Sequence, residues 1–239
     1  MTRTNDPEIV RAEYADESRL AVRAAAWANA TGARPRELAF DAVAEVRPGR
    51  VLEVGCGRGE LAERIATELG AEVTALDQSE RMVELTRARG IHTLVGDVEE
   101  LPFEDGSFDC AAAAWMLYHV SDVDRALAEL ARVLVPGGRL VAVTNGERNL
   151  PELWSRFGER AGRVHAFSVE NAASQLAGRF VRVEERKANG TVEFPDWEAA
   201  NAYVSASVTR RDLAGKLPHF EGALACSRIV SVFVAETAR

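Results

Sequence analysis

Residues 51–60, VLEVGCGRGE, place three glycines at alternating positions directly after a run of apolar residues. The apolar run is typical of a β-strand, and the glycines predict a very tight turn at its end. After the turn, Leu61, Ile65 and Leu69 recur at helical spacing, and Gly70 closes the pattern. Glycine adopts positive φ without strain and lets a bound ligand approach the backbone closely. The stretch therefore predicts a strand, a ligand-binding turn and a helix.

The same alternation continues along the chain, so the turn belongs to a larger sheet. Residues 71–77 predict a second strand, IHTLVGD a third that ends at Asp97, CAAAAWM a fourth, and RLVAVT a fifth, with helices between them. Strands that alternate with helices imply a parallel sheet covered on both faces. Ligands of such sheets bind at the carboxyl ends of the strands. Gly55, Asp77, Asp97 and Ala114 lie at those ends and are therefore candidates for one site.

The second half of the chain departs from this alternation. Residues 151–162 predict a helix with exposed aromatics at Trp154 and Phe157, and residues 168–176 predict another. The strand RFVRVEER follows, and the final IVSVFVAET predicts a strand that lies antiparallel at the far edge of the sheet. The helices after the second and fourth strands are predicted to begin at the capping residues Ser79 and Asp122.

Composition bounds the class of protein. The 239 residues carry 29 basic and 37 acidic side chains, and a net charge of −8 disfavours a nucleic-acid partner. The three cysteines contain no CxxC pair, which favours a reduced, cytoplasmic protein without a metal site. No apolar signal region and no run of 18 apolar residues is present, so we expect neither secretion nor a membrane span.

A dinucleotide fold is the first alternative for the glycine turn. Its fingerprint, GxGxxG, is followed about 20 residues later by an acidic residue that binds the ribose. Here the glycines read G-C-G-R-G, one residue shorter, and Asp77 follows at a comparable distance. A nicotinamide-dependent oxidoreductase therefore stays open on the glycines alone.

The remaining motifs distinguish the alternatives. VLEVGCGRG, LDQS at Asp77, GD at Asp97, LPFEDGSFD and PGG at Pro136 occur in that order over residues 51–144. Together they resemble the class I S-adenosylmethionine-dependent methyltransferases, in particular the small-molecule branch with the ubiquinone and menaquinone methyltransferases. The resemblance implies S-adenosyl-L-methionine as cofactor and a small, partly apolar methyl acceptor. A non-catalytic protein that binds S-adenosylmethionine is the second alternative.

The resemblance also implies a fold. We expect an α/β, doubly wound, Rossmann-like sheet of seven mostly parallel strands, with an antiparallel C-terminal strand and helical lid elements. Residues 1–45 would form an N-terminal helical lid. Residues 46–239 would form the methyltransferase domain, with lid insertions near residues 146–165 and 195–227.

Several residues are implied to hold the methionine and ribose parts of the cofactor. Glu53 matches the acidic residue that orders the amino end of the methionine, and Gly55 and Gly57 match the backbone beside it. Asp77 matches the carboxylate that accepts hydrogen bonds from the ribose hydroxyls. Cys56 lies within this cofactor-binding turn, and we interpret its thiol as a packing group, because direct methyl transfer needs no nucleophile from the enzyme.

The adenine is implied to lie beside the next strand ends. Gln78 and Met82 match positions that flank the ribose and adenine. Asp97 matches the residue that accepts from the adenine amino group, and Val98 offers its backbone N–H to a ring nitrogen. Ala114 matches a carbonyl that contacts the amino group of the cofactor.

Candidates for catalysis follow the fourth strand. Relatives commonly carry two histidines where this chain has Tyr118 and His119, so a histidine base at the first position is not assumed. These two side chains orient or deprotonate an acceptor, or else they cap or pack under the following helix. Tyr14 lies in a predicted helix over the cofactor, where its ring would face the sulfonium. We expect no metal, and in-line displacement at the methyl group requires a base only if the acceptor must lose a proton early.

Overall fold

A computed structural model of the chain describes residues 18–27, 30–158, 165–207, 210 and 213–239. Tyr14 therefore lies outside the described residues. The strands are β1 Arg50–Val54, β2 Glu72–Asp77, β3 His92–Val95, β4 Phe108–Ala114, β5 Leu134–Asn145, β6 Arg182–Lys187, β7 Gly190–Phe194, β8 Leu224–Arg228 and β9 Val230–Glu236. The described α-helices are α1 Ser18–Ala26, α2 Pro35–Ala44, α3 Glu60–Leu69, α4 Glu80–Arg87, α5 Val123–Val133, α6 Pro151–Trp154, α7 Ala172–Leu176 and α8 Trp197–Ser205.

Seven strands form the main sheet, in the order β3-β2-β1-β4-β5-β9-β6. Strands β1 to β5 pair in parallel, and β9 pairs antiparallel with both β5 and β6. This confirms the predicted doubly wound α/β fold. Strands β7 and β8 form a separate antiparallel pair, which was not predicted.

The predicted edge position of the final strand is wrong, because β6 takes the edge and β9 lies inside it. The side chains give the reason. Every residue of β9 except Glu236 is buried, so this strand needs cover on both faces. Strand β6 reads RVEERK and buries none of its residues fully, and charged side chains of this kind protect an exposed sheet edge.

The helix starts follow the predicted caps. The Ser79 hydroxyl accepts from the Met82 N–H at 3.3 Å, and the Asp122 carboxylate accepts from the Arg125 N–H at 3.0 Å. The helix predicted over residues 151–162 is different, since α6 covers only four residues and a 3₁₀ turn over Ser155–Phe157 follows it.

Trp154 is buried, contrary to the prediction that it is exposed. Its ring lies 6.3 Å from that of Phe157, and the Arg210 guanidinium lies 4.1 Å from its ring centre. Both contacts come from the lid segments, so the apolar side chain that the sequence placed in solvent is a core residue of the lid.

The core has three parts. One cluster packs α5 and α7 on one face of the main sheet, and a second packs α2 and α3 on the other. A third is formed by α6, the β7–β8 pair and α8. We call these elements the lid layer, after the predicted lid. Helix α1 contacts α8 and β7, so it belongs to this lid layer, whereas α2 packs on the sheet. The predicted domain boundaries stay predictions.

Candidate active site

A cavity of about 870 Å³ lies at the carboxyl ends of β1, β2 and β4, beneath the lid layer. This volume falls within the range of about 300–1,000 Å³ that is common for ligand sites. Most of the predicted site residues line it, namely Glu53, Gly55, Cys56, Gly57, Asp77, Gln78, Asp97, Val98, Ala114, Tyr118 and His119. Met82 does not, because its side chain is fully buried in the core beneath α4.

The glycine turn has the backbone conformation that its sequence indicates. Gly55, Gly57 and Gly59 have φ of 63°, 54° and 72°, a region that other residues rarely adopt. A Cβ built on Gly55 would lie 2.6 Å from the Cβ of Met116, and one on Gly59 would lie 2.7 Å from Thr86. The close approach at these two glycines is therefore made by side chains of the protein itself.

Glu53 is a buried acid with an incomplete set of partners. It lies in β1, next to the last residue of the strand, and only 3% of it is exposed. Burial raises the pKa of its carboxyl to about 8, although the Ala62 N–H hydrogen-bonds it, and the nearby Asp77 charge acts in the same direction as burial. Its Oε2 has no hydrogen-bond partner among the described residues. A buried, unpaired carboxylate oxygen on a cavity wall suits a cationic ligand group such as an ammonium.

Asp77 ends β2, the neighbour of β1, and its carboxylate is held by backbone donors. Gly57 N–H donates to Oδ2 at 2.9 Å, and Ser79 N–H donates to Oδ1 at 3.0 Å. Burial nevertheless raises the pKa of Asp77, against the effect of these hydrogen bonds. The two bonds fix the carboxylate at the cavity edge and leave lone pairs that can accept from a ligand hydroxyl.

The third strand end is more open. Asp97 is exposed, and its Oδ1 accepts from the Glu99 N–H at 2.9 Å. Val98 is buried and lines the cavity beside it, as does Gln78 from the end of β2. These residues are placed where a flat ring could lie between the ends of β2 and β3.

Trp115 and Asn145 line the cavity but were not predicted. Strand β4 ends at Ala114 instead of continuing to Met116, because Trp115 has φ of 56° and turns the chain out of the strand. Its indole N–H donates to the Asn145 Oδ1 at 3.2 Å, from the end of the neighbouring β5. A non-glycine residue in this region costs about 1–3 kcal/mol and occurs often at functional sites. The sequence signal was a tryptophan directly after the apolar run.

Tyr118 and His119 lie in a 3₁₀ turn over Leu117–His119. Their ring centres are 4.4 Å apart, and the Tyr118 ring lies 6.1 Å from that of His165. His119 is 9% exposed, and Tyr118 is half-buried. Helix α5 is capped by another residue, Asp122, so neither ring is needed for that cap.

Arginines are also part of the cavity wall. Arg36 from α2 pairs with Glu60, and its charge also acts on Glu53. Arg58, in the glycine turn, also lines the cavity. Arg228, the last residue of β8, lines it as well.

The described residues show neither a metal-binding cluster nor a membrane-spanning helix. Within the described ranges, no three histidine, cysteine, aspartate or glutamate side chains are grouped so that they could hold a metal ion. Nor does any described helix combine the length and apolar character that crossing a membrane requires.

Comparison with known proteins identifies the domain. Residues 52–142 match the family described as "Methyltransferase domain". The chain is 42% identical over 110 residues to the demethylmenaquinone methyltransferase of Renibacterium salmoninarum, covering 45% of this chain and 46% of that protein. It is 36% identical over 132 residues to the malonyl-[acyl-carrier protein] O-methyltransferase of Pseudescherichia vulneris, covering 54% and 52%. The chain thus spans about half the length of these curated relatives.

A solved structure matches over more of the chain. It is the Burkholderia thailandensis 1,6-didemethyltoxoflavin-N1-methyltransferase with bound 1,6-didemethyltoxoflavin and S-adenosylhomocysteine, at a TM-score of 0.61 and 18% identity, covering 100% of this chain and 92% of that one. At this identity the match shows the fold. With the sequence matches, it confirms the prediction that this is a class I S-adenosylmethionine-dependent methyltransferase domain. The nicotinamide alternative is accordingly not supported.

Proposed function

We propose that this protein transfers the methyl group of S-adenosylmethionine to a small-molecule acceptor. The observation that carries the proposal is the pair of buried acids, Glu53 and Asp77, at adjacent strand ends on one cavity of a methyltransferase domain. S-adenosylmethionine presents an ammonium and a ribose diol but no phosphate. Two buried carboxylates suit the ammonium and the ribose hydroxyls, because carboxylate oxygens accept hydrogen bonds from both.

The residues present fit the parts of the cofactor. The unpaired Oε2 of Glu53 would receive the methionine ammonium, and Asp77 would accept from the ribose hydroxyls. Asp97 and Val98 would hold the adenine. Arg58, which lines the cavity from the glycine turn, would bind the methionine carboxylate.

When bound, S-adenosylmethionine supplies a methyl group on a positively charged sulfur for in-line displacement by the acceptor. The protein contributes mainly by holding the acceptor atom against that carbon, because positioning alone lowers such barriers by several kcal/mol (about 7–11 in the best cases). The predicted lid would limit water in the cavity, which would strengthen the electrostatic interactions of the site. Tyr118 and His119 would orient the acceptor or take its proton.

The acceptor is a small molecule rather than a nucleic acid. The cavity is lined by aromatic side chains, including Trp27 and Tyr203, and the net charge of the chain is −8. The names of the relatives contain chemically different acceptors, demethylmenaquinone in one and malonyl-[acyl-carrier protein] in another. The relatives are similar in the region that holds the proposed cofactor residues, but their acceptors differ. This agrees with a lid that selects the acceptor in each protein.

The test uses methyl-labelled S-adenosylmethionine and a fractionated extract of the host. Label is expected in the small-molecule fraction with the wild-type protein and not with Asp77→Asn. The matched control is Asp109→Asn, since Asp109 also accepts from two backbone N–H groups, those of Gly49 and Arg50, but lies at the opposite end of the sheet. That variant should keep the activity.

The other outcomes have distinct meanings. Label in RNA or protein would contradict the small-molecule acceptor. Cofactor binding without label in any fraction would favour the non-catalytic alternative. Equal loss of cofactor binding in both aspartate variants would mean that Asp77 acts only through folding.

A further inference from the structure

The wall of the cavity that faces the lid differs in charge from the wall at the strand ends. The strand ends contribute acids, among them Glu53 and Asp77. The wall formed by α1, α8, β8 and the segment before α2 contributes Arg23, Arg34 and Arg228, and within the described residues it contributes no carboxylate. The wall with Arg23, Arg34 and Arg228 is therefore suited to an anionic ligand group.

Arg228 is the buried member of this basic wall. It is the last residue of β8, opposite Gly190 of β7, and only 5% of it is exposed. Its Nη2 donates to the Ala33 carbonyl. Gly190 is required mainly by the Thr31 backbone, since a Cβ there would lie 1.9 Å from the Thr31 carbonyl oxygen and 3.1 Å from the Arg228 Nη2. Its Nε has no hydrogen-bond partner, and no carboxylate of the described residues pairs with it.

A buried guanidinium with an open donor is costly. Burial lowers the pKa of Arg228, because loss of hydration disfavours the charged guanidinium. Arg139, whose side chain is also mostly buried, differs because it pairs with Glu45 and Glu236. Buried charges in proteins are normally paired, and the unpartnered Nε of Arg228 is therefore suited to an anionic ligand group.

The strand register places Arg228 near Asn145 and Trp115, which also line the cavity. Val230, two residues further on, pairs with Asn145 at the carboxyl end of β5, and Asn145 accepts from the Trp115 indole. In the main sheet, β4 and β5 lie between β1, which carries Glu53, and β9, which begins two residues after Arg228.

We propose that the methyl acceptor carries a carboxylate or phosphate that Arg228 binds, on an apolar body that packs against Trp27 and Tyr203. Both rings line the cavity, and their centres are 6.1 Å apart in an edge-on arrangement. A guanidinium beside aromatic edges recognises an anion attached to an apolar group, since planar donors suit carboxylate and phosphate oxygens. This inference rests on the proposed function, because it names the acceptor class of the same site.

The first measurement is binding, which requires no turnover. The protein saturated with S-adenosylhomocysteine is incubated with a pool of phenylacetate, cinnamate, decanoate and phenyl phosphate, together with their uncharged amides and phenol. Retained compounds are identified by mass after rapid gel filtration. We expect at least one anion to be retained and its uncharged counterpart to be lost. The carboxylates and the phosphate ester distinguish the two anion types.

Variants then assign the anion to Arg228. Arg228→Gln is expected to weaken binding of the retained anion by about 10- to 100-fold, as loss of a charged hydrogen bond does. Arg228→Lys should keep part of the affinity, and Arg182→Gln, on the exposed edge strand β6, should keep all of it. The Kd of S-adenosylhomocysteine should not change. If Arg228→Gln does not fold, Arg228→Lys and the comparison of anions with uncharged compounds still test whether Arg228 binds the anionic group.

Two results of the retention measurement would overturn the inference: equal retention of charged and uncharged compounds, or retention of none of the anions. Two results with Arg228→Gln would also overturn it: an anion affinity equal to that of the wild type, or weaker binding of S-adenosylhomocysteine. The last result would assign Arg228 to the cofactor carboxylate. Retention of anions without methyl transfer to any fraction of the extract would refute the proposed function and leave the anion site standing.

Discussion

Replacement of Glu53 with glutamine is expected to stabilise the protein without ligand and, at the same time, to weaken cofactor binding. The carboxyl lies 3% exposed at the end of β1, with one oxygen unpaired. Glutamine has nearly the same shape and its carbonyl can still accept from the Ala62 N–H that holds the glutamate. The substitution therefore removes the ionisation and little else.

The magnitude follows from the pKa of Glu53. The folded protein raises it from 4.5 to about 8, mainly by burial. Between these values the folded state holds a proton that the unfolded state has lost, so the free energy of unfolding falls as the pH rises. The slope is about 1.4 kcal/mol per pH unit, which amounts to about 3 kcal/mol between about pH 5.5 and 8. The uncharged amide of the Glu53→Gln variant has no such dependence.

The bound ligand is expected to reverse the preference of the folded protein for a protonated Glu53 carboxyl. An ammonium beside Glu53 favours the ionised carboxylate, so binding of S-adenosylmethionine near neutral pH should release a proton from Glu53. The wild-type affinity is then expected to rise by up to about tenfold per pH unit between about pH 6 and 7. In the variant the affinity should be about 10- to 100-fold lower, the usual effect of losing a charged hydrogen bond, and without this slope.

Urea unfolding at a series of pH values measures the first effect, and calorimetry in buffers of different ionisation enthalpy measures the proton release. The exposed Glu193 of β7 supplies the control, since Glu193→Gln should change neither curve. Parallel pH curves for wild type and Glu53→Gln would refute the reasoning about burial. Unchanged cofactor affinity in Glu53→Gln would refute the assignment of the carboxylate to the ammonium.

Two further substitutions test the turn and the candidate base. Gly55→Ala should lower the free energy of unfolding by roughly 1–2 kcal/mol, because alanine is strained at positive φ, and by about 1–3 kcal/mol more, because its Cβ collides with Met116. Gly70 has φ of 66° and no atom within 4 Å of an added Cβ, so Gly70→Ala should lose only the roughly 1–2 kcal/mol of backbone strain. Equal losses in urea unfolding would contradict the crowding. His119→Asn is expected to lower kcat by about 100-fold or more if this imidazole takes the acceptor proton. Cofactor affinity should stay unchanged, and an unaltered kcat would show that the acceptor reacts without this base.

Local chemistry explains what could be predicted from the residues alone. The glycine turn, the capping serine and aspartate at residues 79 and 122, and the acids at the ends of β1 and β2 depend on neighbours within a few positions. Each has a backbone requirement that few other residues satisfy, such as the positive φ of Gly55. Once alternating strands and helices imply a parallel sheet, its carboxyl edge brings these residues together.

The rest depends on contacts between distant segments. Strand β9 lies inside the sheet because β6 covers its outer side, and Trp154 is buried because Phe157 and Arg210 pack on it. Neither fact has a local sequence signal, since an apolar strand or a tryptophan reads the same at an edge or in a core.

Arg228 is the clearest example for function. In the sequence it is one of many arginines, 83 residues beyond Asn145, and nothing nearby marks it. The pairing of β7 with β8, and of β9 with β5, buries its guanidinium on the wall of the cavity. The proposed cofactor residues belong to short motifs that can be recognised in the sequence. The proposed acceptor residues come from distant segments, and only tertiary packing decides which of their side chains face the cavity.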